Sequence, residues 1–409
     1  MSAPGGRPAH ILAVSEAPIP SAVLGVHAPF EHLGRTTGRC ELRTASSIDL
    51  DPADVAWADS IVLVRGASPA ERRLLDEARR LGRRVATYMD DDLERVPGEA
   101  RSGYFFTSPT VRANVAAIVR GSDLLLVTNE RLGDELSRRH GRLATLLRQP
   151  RPARMARPVA GGGSVDAEGT VAGDAATAGH GRPVRIGFLG SVDHAGFVER
   201  LLGGPISRVA AERGDSVEWT FCGAIPAFAR SLGARCEPFD PDFGSWCRTA
   251  ASLRLDVALA PLEDSAFHAC KYFNKYLEYG SLGAAGIYSE VPPFVDAVRD
   301  GGTGLLVPNR PGDWLAAIDS LVDDAGLRRR IAAAAAADVE ARFSERALEA
   351  SWIEGLAPLL DHRARPVEPH DVRLPRGRAR WALDRLAVYG PLRFAERLAG
   401  RLTGRLRPG

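Results

Sequence analysis

The sequence predicts an α/β protein of two parallel-sheet halves, followed by a basic amphipathic helical tail. Three observations predict this. Short β-rich runs alternate with helical patterns on both sides of a glycine-rich break, as in chains of βαβ units. Runs such as 60–65 and 84–88 are almost continuously apolar, which suits strands covered on both faces. Beyond Asp371, regularly spaced arginines are interleaved with Trp381, Leu383, Leu386, Tyr389, Leu392, Phe394 and Leu398.

In chain order, residues 1–150 offer strands at 10–14, 40–44, 60–65, 84–88 and 123–128, with helices including 69–81 and 108–119. Residues 151–183 lack apolar periodicity and contain Ala-Gly-Gly-Gly-Ser, so they read as a linker. Gly161-Gly162-Gly163 has no strand before it and no helix after it, which argues against a phosphate loop. The second half, 184–345, opens on the strand Val184-Arg-Ile-Gly-Phe-Leu-Gly190. Further strands are expected at 217–222, 236–239, 257–260, 286–289 and 304–307, and helices at 197–213, 244–253, 273–283, 311–323, 325–339 and 344–360. Residues 346–409 complete the chain as C-terminal helices and the tail, which Gly390-Pro391 divides in two.

At 409 residues, with 45% hydrophobic and 25% charged side chains, the chain can bury two ordinary cores. The net charge of +2 is unevenly placed. Ten arginines against Asp371, Asp384 and Glu396 give the tail +7, leaving −5 elsewhere, so a nucleic-acid partner is not expected. Five cysteines without a CxxC pair point away from disulfides and structural zinc, toward a reducing, cytoplasmic setting. The apolar run after the N-terminal residues is too short for a signal peptide, and no apolar run is long enough to span a membrane. The tail, residues 373–409, fits a segment lying at the inner membrane face; it equally fits a helix packed on the protein with its arginines solvated.

Both lysines of the chain, Lys271 and Lys275, stand four residues apart among 51 arginines. On a helix they would share a face with Glu278, giving two ammoniums and a carboxylate, or merely an exposed ion pair. Lysine acts as a compact point charge where arginine offers a planar fork. His27 follows the first strand, in a loop or helix, and reads as a site candidate or as a capped surface histidine. Asp90-Asp91-Asp92 and Asp240-Pro241-Asp242 are carboxylate runs, read as polar groups at a strand end and as cap chemistry rather than a metal site.

Leu255-Asp-Val-Ala-Leu-Ala-Pro-Leu262 followed by Phe267-x3-Lys271-x3-Lys275-x2-Glu278-Tyr279 resembles glycosyltransferases of the GT-B fold, group 1, family-4-like. The resemblance continues through Gly283, Ser289, Pro293, the run 300–307, Trp314 and residues 343–352. It implies two Rossmann-like domains facing a cleft, a nucleotide-diphosphate sugar as donor, a glycan or lipid-linked acceptor, and retention of anomeric configuration in surface polysaccharide synthesis. It implies no cofactor and no metal. It places Glu278 on the ribose hydroxyls, Lys271 and Lys275 toward the diphosphate and transferred sugar, and the His27 loop at the cleft, where that ring could meet the sugar or the acceptor. Cys270 departs from the family, standing where many relatives carry a second glutamate, and Ala285 stands where a proline is common. The loop Gly190-Ser191-Val-Asp-His194 lacks a basic residue found in relatives, although the amides of Gly190 and Ser191, with His194, could still hold phosphate. Two alternatives share the architecture: a nucleotide-sugar epimerase and a non-catalytic binding protein.

Overall fold

The computed structural model describes residues 7–16, 19–98, 103–156, 182–375, 378–391 and 394. The chain forms two compact units. Unit 1 comprises Met1–Pro150, Ala269–Tyr272 and Glu345–Gly409; unit 2 comprises Arg151–His268 and Phe273–Ser344.

Unit 1 contains strands β1 (Ala9–Ser15), β2 (Cys40–Ser46), β3 (Ser60–Val64), β4 (Arg84–Met89), β5 (Leu124–Val127) and β6 (Ala144–Leu146). They form one parallel sheet in the order β2-β1-β3-β4-β5-β6. The chain reverses direction of winding between β1 and β3, the switch point at which open α/β sheets bind ligands beyond their strand ends. Every residue of β3 is buried, as its apolar run requires. At three residues, β6 is too short to carry a period-2 pattern, so sequence periodicity does not reveal it.

Unit 2 contains β7 (Val184–Gly190), β8 (Val217–Gly223), β9 (Arg235–Pro238), β10 (Val257–Ala260), β11 (Ala285–Ser289) and β12 (Leu305–Val307). All pair in parallel, in the order β12-β11-β10-β7-β8-β9. Counted within the unit this is 3-2-1-4-5-6, the Rossmann order, with its switch point between β7 and β10. Its core joins Phe188, Trp219 and Phe221 to Trp314, Ile318 and Ile331 of the helices Pro311–Asp323 and Ala325–Phe343.

The division differs from a simple two-halves reading at three places. Helix Glu345–Leu360 returns to unit 1 and buries Leu348, Trp352, Leu356, Leu359 and Leu360 beside β1, β3 and β4. Arg151–Ala156, expected as linker, packs in unit 2, with Met155 fully buried. The linker remainder, 157–181, lies outside the described residues. The four residues Ala269–Tyr272 interrupt unit 2 and belong to unit 1.

Helix Arg378–Tyr389 also packs on unit 1. Its last carbonyls find hydroxyl donors: Thr110 to Ala387 (3.2 Å), Ser108 to Val388 (2.8 Å) and Tyr104 to Tyr389 (3.4 Å). Gly390, at φ +74°, ends it in the left-handed region. The second tail helix expected after Pro391 lies outside the described residues.

One buried carboxylate gives unit 1 a pH signature. Glu71 closes a capping box at the helix Pro69–Arg80, accepting from the amides of Ala67 (2.8 Å) and Ser68 (2.9 Å) and from the Ser47 hydroxyl (3.3 Å). Burial outweighs these bonds and pushes its pKa up from 4.5 to about 7. The folded state therefore holds this proton more tightly than the unfolded one. The stabilisation is fully present below pH 4.5 and is lost as pH rises toward 7. Glu71→Gln is expected to gain on the wild type across that window, by up to roughly 3 kcal/mol. Urea melts of both proteins at several pH values check this; a pH-independent difference refutes it.

Candidate functional site

In unit 2 the candidate residues gather at the carboxyl ends of β7 and β10. β7 ends at Gly190, whose carbonyl accepts from the Ala224 amide at 3.0 Å. Gly223, at φ +83°, completes this turn: a Cβ there would lie 2.0 Å from the Gly190 oxygen. The loop must therefore keep a bare backbone at that point. Ser191 precedes a short turn, Val192–His194, and His194 leads into the 19-residue helix Ala195–Arg213. The His194 ring stands edge-on to Phe188, 6.2 Å between centroids. Gly190, Ser191 and His194 thus sit where a helix start offers amide dipoles at the switch point.

Helix Asn274–Leu282 supplies the other half of this group. Tyr279 anchors it, its buried phenol donating to the Leu259 carbonyl of β10 at 2.7 Å. That contact ties the helix to β10. Lys275 Nζ there donates to Glu278 Oε2 at 2.6 Å, with both side chains mostly shielded from solvent. The adjacent turn after β10 is pinned by three bonds. The Leu262 amide donates to Ser289 Oγ (2.8 Å), Ser289 Oγ to Asn309 Oδ1 (2.6 Å), and Asn309 Nδ2 to the Leu262 carbonyl (2.8 Å). Asn309 was not singled out by its sequence, since only the fold brings it to Ser289.

Lys271 does not share that helix face. The helix begins at Asn274, and Lys271 lies in the segment that belongs to unit 1. Its ammonium pairs with Asp91 Oδ1 at 3.1 Å. Asn129 Nδ2 donates to the carbonyls of Cys270 (3.0 Å) and Lys271 (3.3 Å), and Tyr272 donates to the Gln149 carbonyl (3.3 Å). These partners, absent from any local pattern, outweigh the helical periodicity of 271–278. The single face of two ammoniums and a carboxylate is therefore corrected: Lys275 and Glu278 form one pair, and Lys271 forms another with Asp91.

Around Lys271, unit 1 builds a charge chain at the ends of β3 and β4. Arg65, at φ +54°, reaches Asp91 Oδ2 (3.1 Å) and Asp90 Oδ1 (3.4 Å). Burial alone would lower the Arg65 pKa, but Asp90 and Asp91 outweigh it and the net direction is up. Burial raises the Asp90 pKa against the pull of Arg65. Asp92 is committed elsewhere, accepting two bonds from Arg139 at 2.9 and 2.8 Å. Asp242 caps the helix Phe243–Ser252 by accepting from the Ser245 amide at 2.6 Å. Among the described residues no group of three His, Cys, Asp or Glu side chains could hold a metal ion.

His27 closes a π-helical turn, Val23–His27, in unit 1 and is half-buried; burial lowers its pKa. Gly25 in that turn lies directly on Tyr88, so the turn is set by close packing. Cys270 is buried, and burial pushes its thiol up to about 11. It is neutral at physiological pH and cannot supply the charge of a glutamate.

No protein-family model and no curated protein sequence matches this chain. Solved structures do. HepE from Anabaena, solved with UDP, is 13% identical over 86% of this chain and 100% of its own, with a TM-score of 0.54. A glycosyltransferase from Rickettsia africae is 12% identical over 88% and 100%, with a TM-score of 0.58. The fold is GT-B. A putative UDP-N-acetylglucosamine 2-epimerase from Listeria monocytogenes aligns over 88% of this chain and 99% of its own, at 11% identity and a TM-score of 0.52. The GT-B likeness therefore extends over nearly the whole length of these proteins.

Proposed function

We propose that this GT-B protein transfers a glycosyl group from a nucleotide-diphosphate sugar to a glycan or lipid-linked acceptor, with retention, in surface polysaccharide or glycoconjugate synthesis. The observation that carries the reading is the Lys275–Glu278 pair, fixed by Tyr279 at the switch point of a Rossmann-ordered sheet. A carboxylate there accepts from two vicinal ribose hydroxyls, and a neighbouring ammonium meets the diphosphate. Amides of Gly190 and Ser191 add backbone donors, with His194 beside them. That HepE was solved with UDP, glucose and UDP-glucose supports a nucleotide-sugar ligand. Positive charge at the departing diphosphate stabilises the transition state without a metal or cofactor. His27 and Lys271 are assigned to turnover in unit 1.

A donor screen tests the reading. The full chain is mixed with common nucleotide sugars, and release of nucleoside diphosphate is followed with and without membrane extract as acceptor. Release stimulated by acceptor is expected. No binding of any nucleoside diphosphate by calorimetry overturns it. The epimerase-like neighbour favours a second reading; conversion of the donor sugar without an acceptor would select it.

We further propose a cytoplasmic enzyme held at the membrane face by residues 373–409. All five cysteines are free. Helix Arg378–Tyr389 turns Asp384 and Arg385 toward unit 1 but leaves Leu383 56% and Leu386 37% exposed. Leu383 and Leu386, three residues apart, share an outward face of the helix, as an interfacial helix requires. Flotation with liposomes containing anionic lipid is expected to carry the wild type and not Leu383→Ser/Leu386→Ser. Equal recovery removes the membrane from the reading.

A further inference from the structure

Lys271 lies outside any helix or strand, ahead of the helix Asn274–Leu282. Its ammonium nonetheless stands 3.1 Å from Asp91 Oδ1. A flexible four-carbon stem cannot aim an ammonium from a loose backbone, so something other than regular structure must hold this backbone in place.

The helix Glu130–His140 of unit 1 supplies that hold. Asn129, its N-cap, is buried and accepts from the Leu132 amide through Oδ1 at 2.9 Å. That bond decides which way the side-chain amide faces, because the oxygen must meet the N–H donor. Nδ2 is thereby turned to the carbonyls of Cys270 (3.0 Å) and Lys271 (3.3 Å) and to Thr128 Oγ1 (3.3 Å). With the amide reversed, an oxygen would face two carbonyls and an NH2 group would face an N–H.

The last turn of the same helix reaches the other partner. Arg139 donates to both oxygens of Asp92, at 2.9 and 2.8 Å, and to Glu94 at 2.7 Å. Asp92 is fully buried and adjoins Asp91 in the chain. A planar guanidinium on two carboxylate oxygens fixes orientation as well as distance. One helix thus grips the backbone of Lys271 at its start and the residue beside Asp91 at its end.

We propose that Asn129 and Arg139 are positioning residues, and that the helix Glu130–His140 is the splint that sets Lys271 against Asp91. The consequence for turnover rests on the transferase reading above, in which Lys271 acts on turnover; the splint itself does not.

The chain carries only two lysines, so reductive methylation of the full chain with isotope-labelled formaldehyde marks Lys271, Lys275 and the terminal amine and keeps their charge. Lys271→Arg and Lys275→Arg assign the NMR signals, and Asp91→Asn gives the position of the Lys271 signal once released. Asn129→Asp and Asn129→Ser keep an N-cap acceptor and lose the grip on the two carbonyls. Arg139→Lys keeps the charge and loses the fork. In all three the Lys271 signal is expected to move toward its Asp91→Asn position while the Lys275 signal stays. Ser68→Ala, which removes the cap of another helix of unit 1, is expected to move neither. In the Asn129 variants, acceptor-stimulated release of nucleoside diphosphate is expected to fall about tenfold or more in kcat, with the Kd for UDP within about threefold of wild type.

A wild type that binds no nucleotide removes the transferase and leaves the NMR signals to decide the splint. A Lys271 signal that moves while kcat stays unchanged overturns the consequence for turnover. A Lys271 signal unmoved in the Asn129 variants or in Arg139→Lys, equal movement of both lysine signals, or movement in Ser68→Ala overturns the proposal.

Discussion

Glu278→Ala is expected to weaken binding of a nucleoside diphosphate by roughly 100-fold, the largest loss of any single change at the proposed donor site. The carboxylate would accept from two ribose hydroxyls, and hydrogen bonds to charged groups contribute about 1.5–3 kcal/mol each. A net loss near 3 kcal/mol corresponds to about two decades in Kd. Removing it also leaves Lys275, now 2.6 Å away, without its counter-ion. Lys275→Ala is therefore expected to cost about tenfold. Lys271→Ala should leave binding within about threefold of wild type and act on turnover, because Asp91 of unit 1 holds that ammonium at 3.1 Å. Calorimetric titration of the three variants with UDP, GDP and ADP decides the matter. Equal losses for Lys271→Ala and Lys275→Ala would contradict the separation of the two lysines.

Trp352→Ala is expected to destabilise unit 1 by about 3–5 kcal/mol, enough to consume much of an ordinary domain's stability. The indole is fully buried among β1, β3 and β4, stands edge-on to His32 at 5.8 Å, and donates to the Arg148 carbonyl at 3.0 Å. Truncation leaves both a cavity and a buried carbonyl without its donor. Hydrogen exchange is expected to show early loss of protection in β1 and β3, with β7 and β10 of unit 2 unchanged. A chain ending at Ser344 should lose cooperative unfolding of unit 1 for the same reason. Protection lost equally in both units would show that this helix is not particular to unit 1.

Much of the fold was legible because it is written in local periodicity. Apolar runs bounded by glycine and polar caps marked eleven of the twelve strands, and Pro69, Pro109 and Pro311 each open a helix, where a proline without an amide costs nothing. The pairing of Lys275 with Glu278 was likewise readable, since i,i+3 neighbours meet on any helix. Asn129 with Cys270, Asp91 with Lys271, and Arg65 with Asp90 were not readable. Each joins residues from separate elements, and nothing in the spacing of a chain reports which distant carboxylate an ammonium will find.

What the sequence by itself determined is the alternation of strands and helices, the break between the halves, and the chemical character of the residues from Lys271 to Glu278. These follow from side-chain periodicity and backbone preference, which act over a few residues. Only the tertiary structure decided that Ala269–Tyr272 and helix Glu345–Leu360 belong to unit 1, and that the tail helix turns its charges inward. Those outcomes depend on burial and on hydrogen bonds and charge pairs made across 141 to 311 residues of chain, where the energy lies in the meeting of surfaces and not in any one segment.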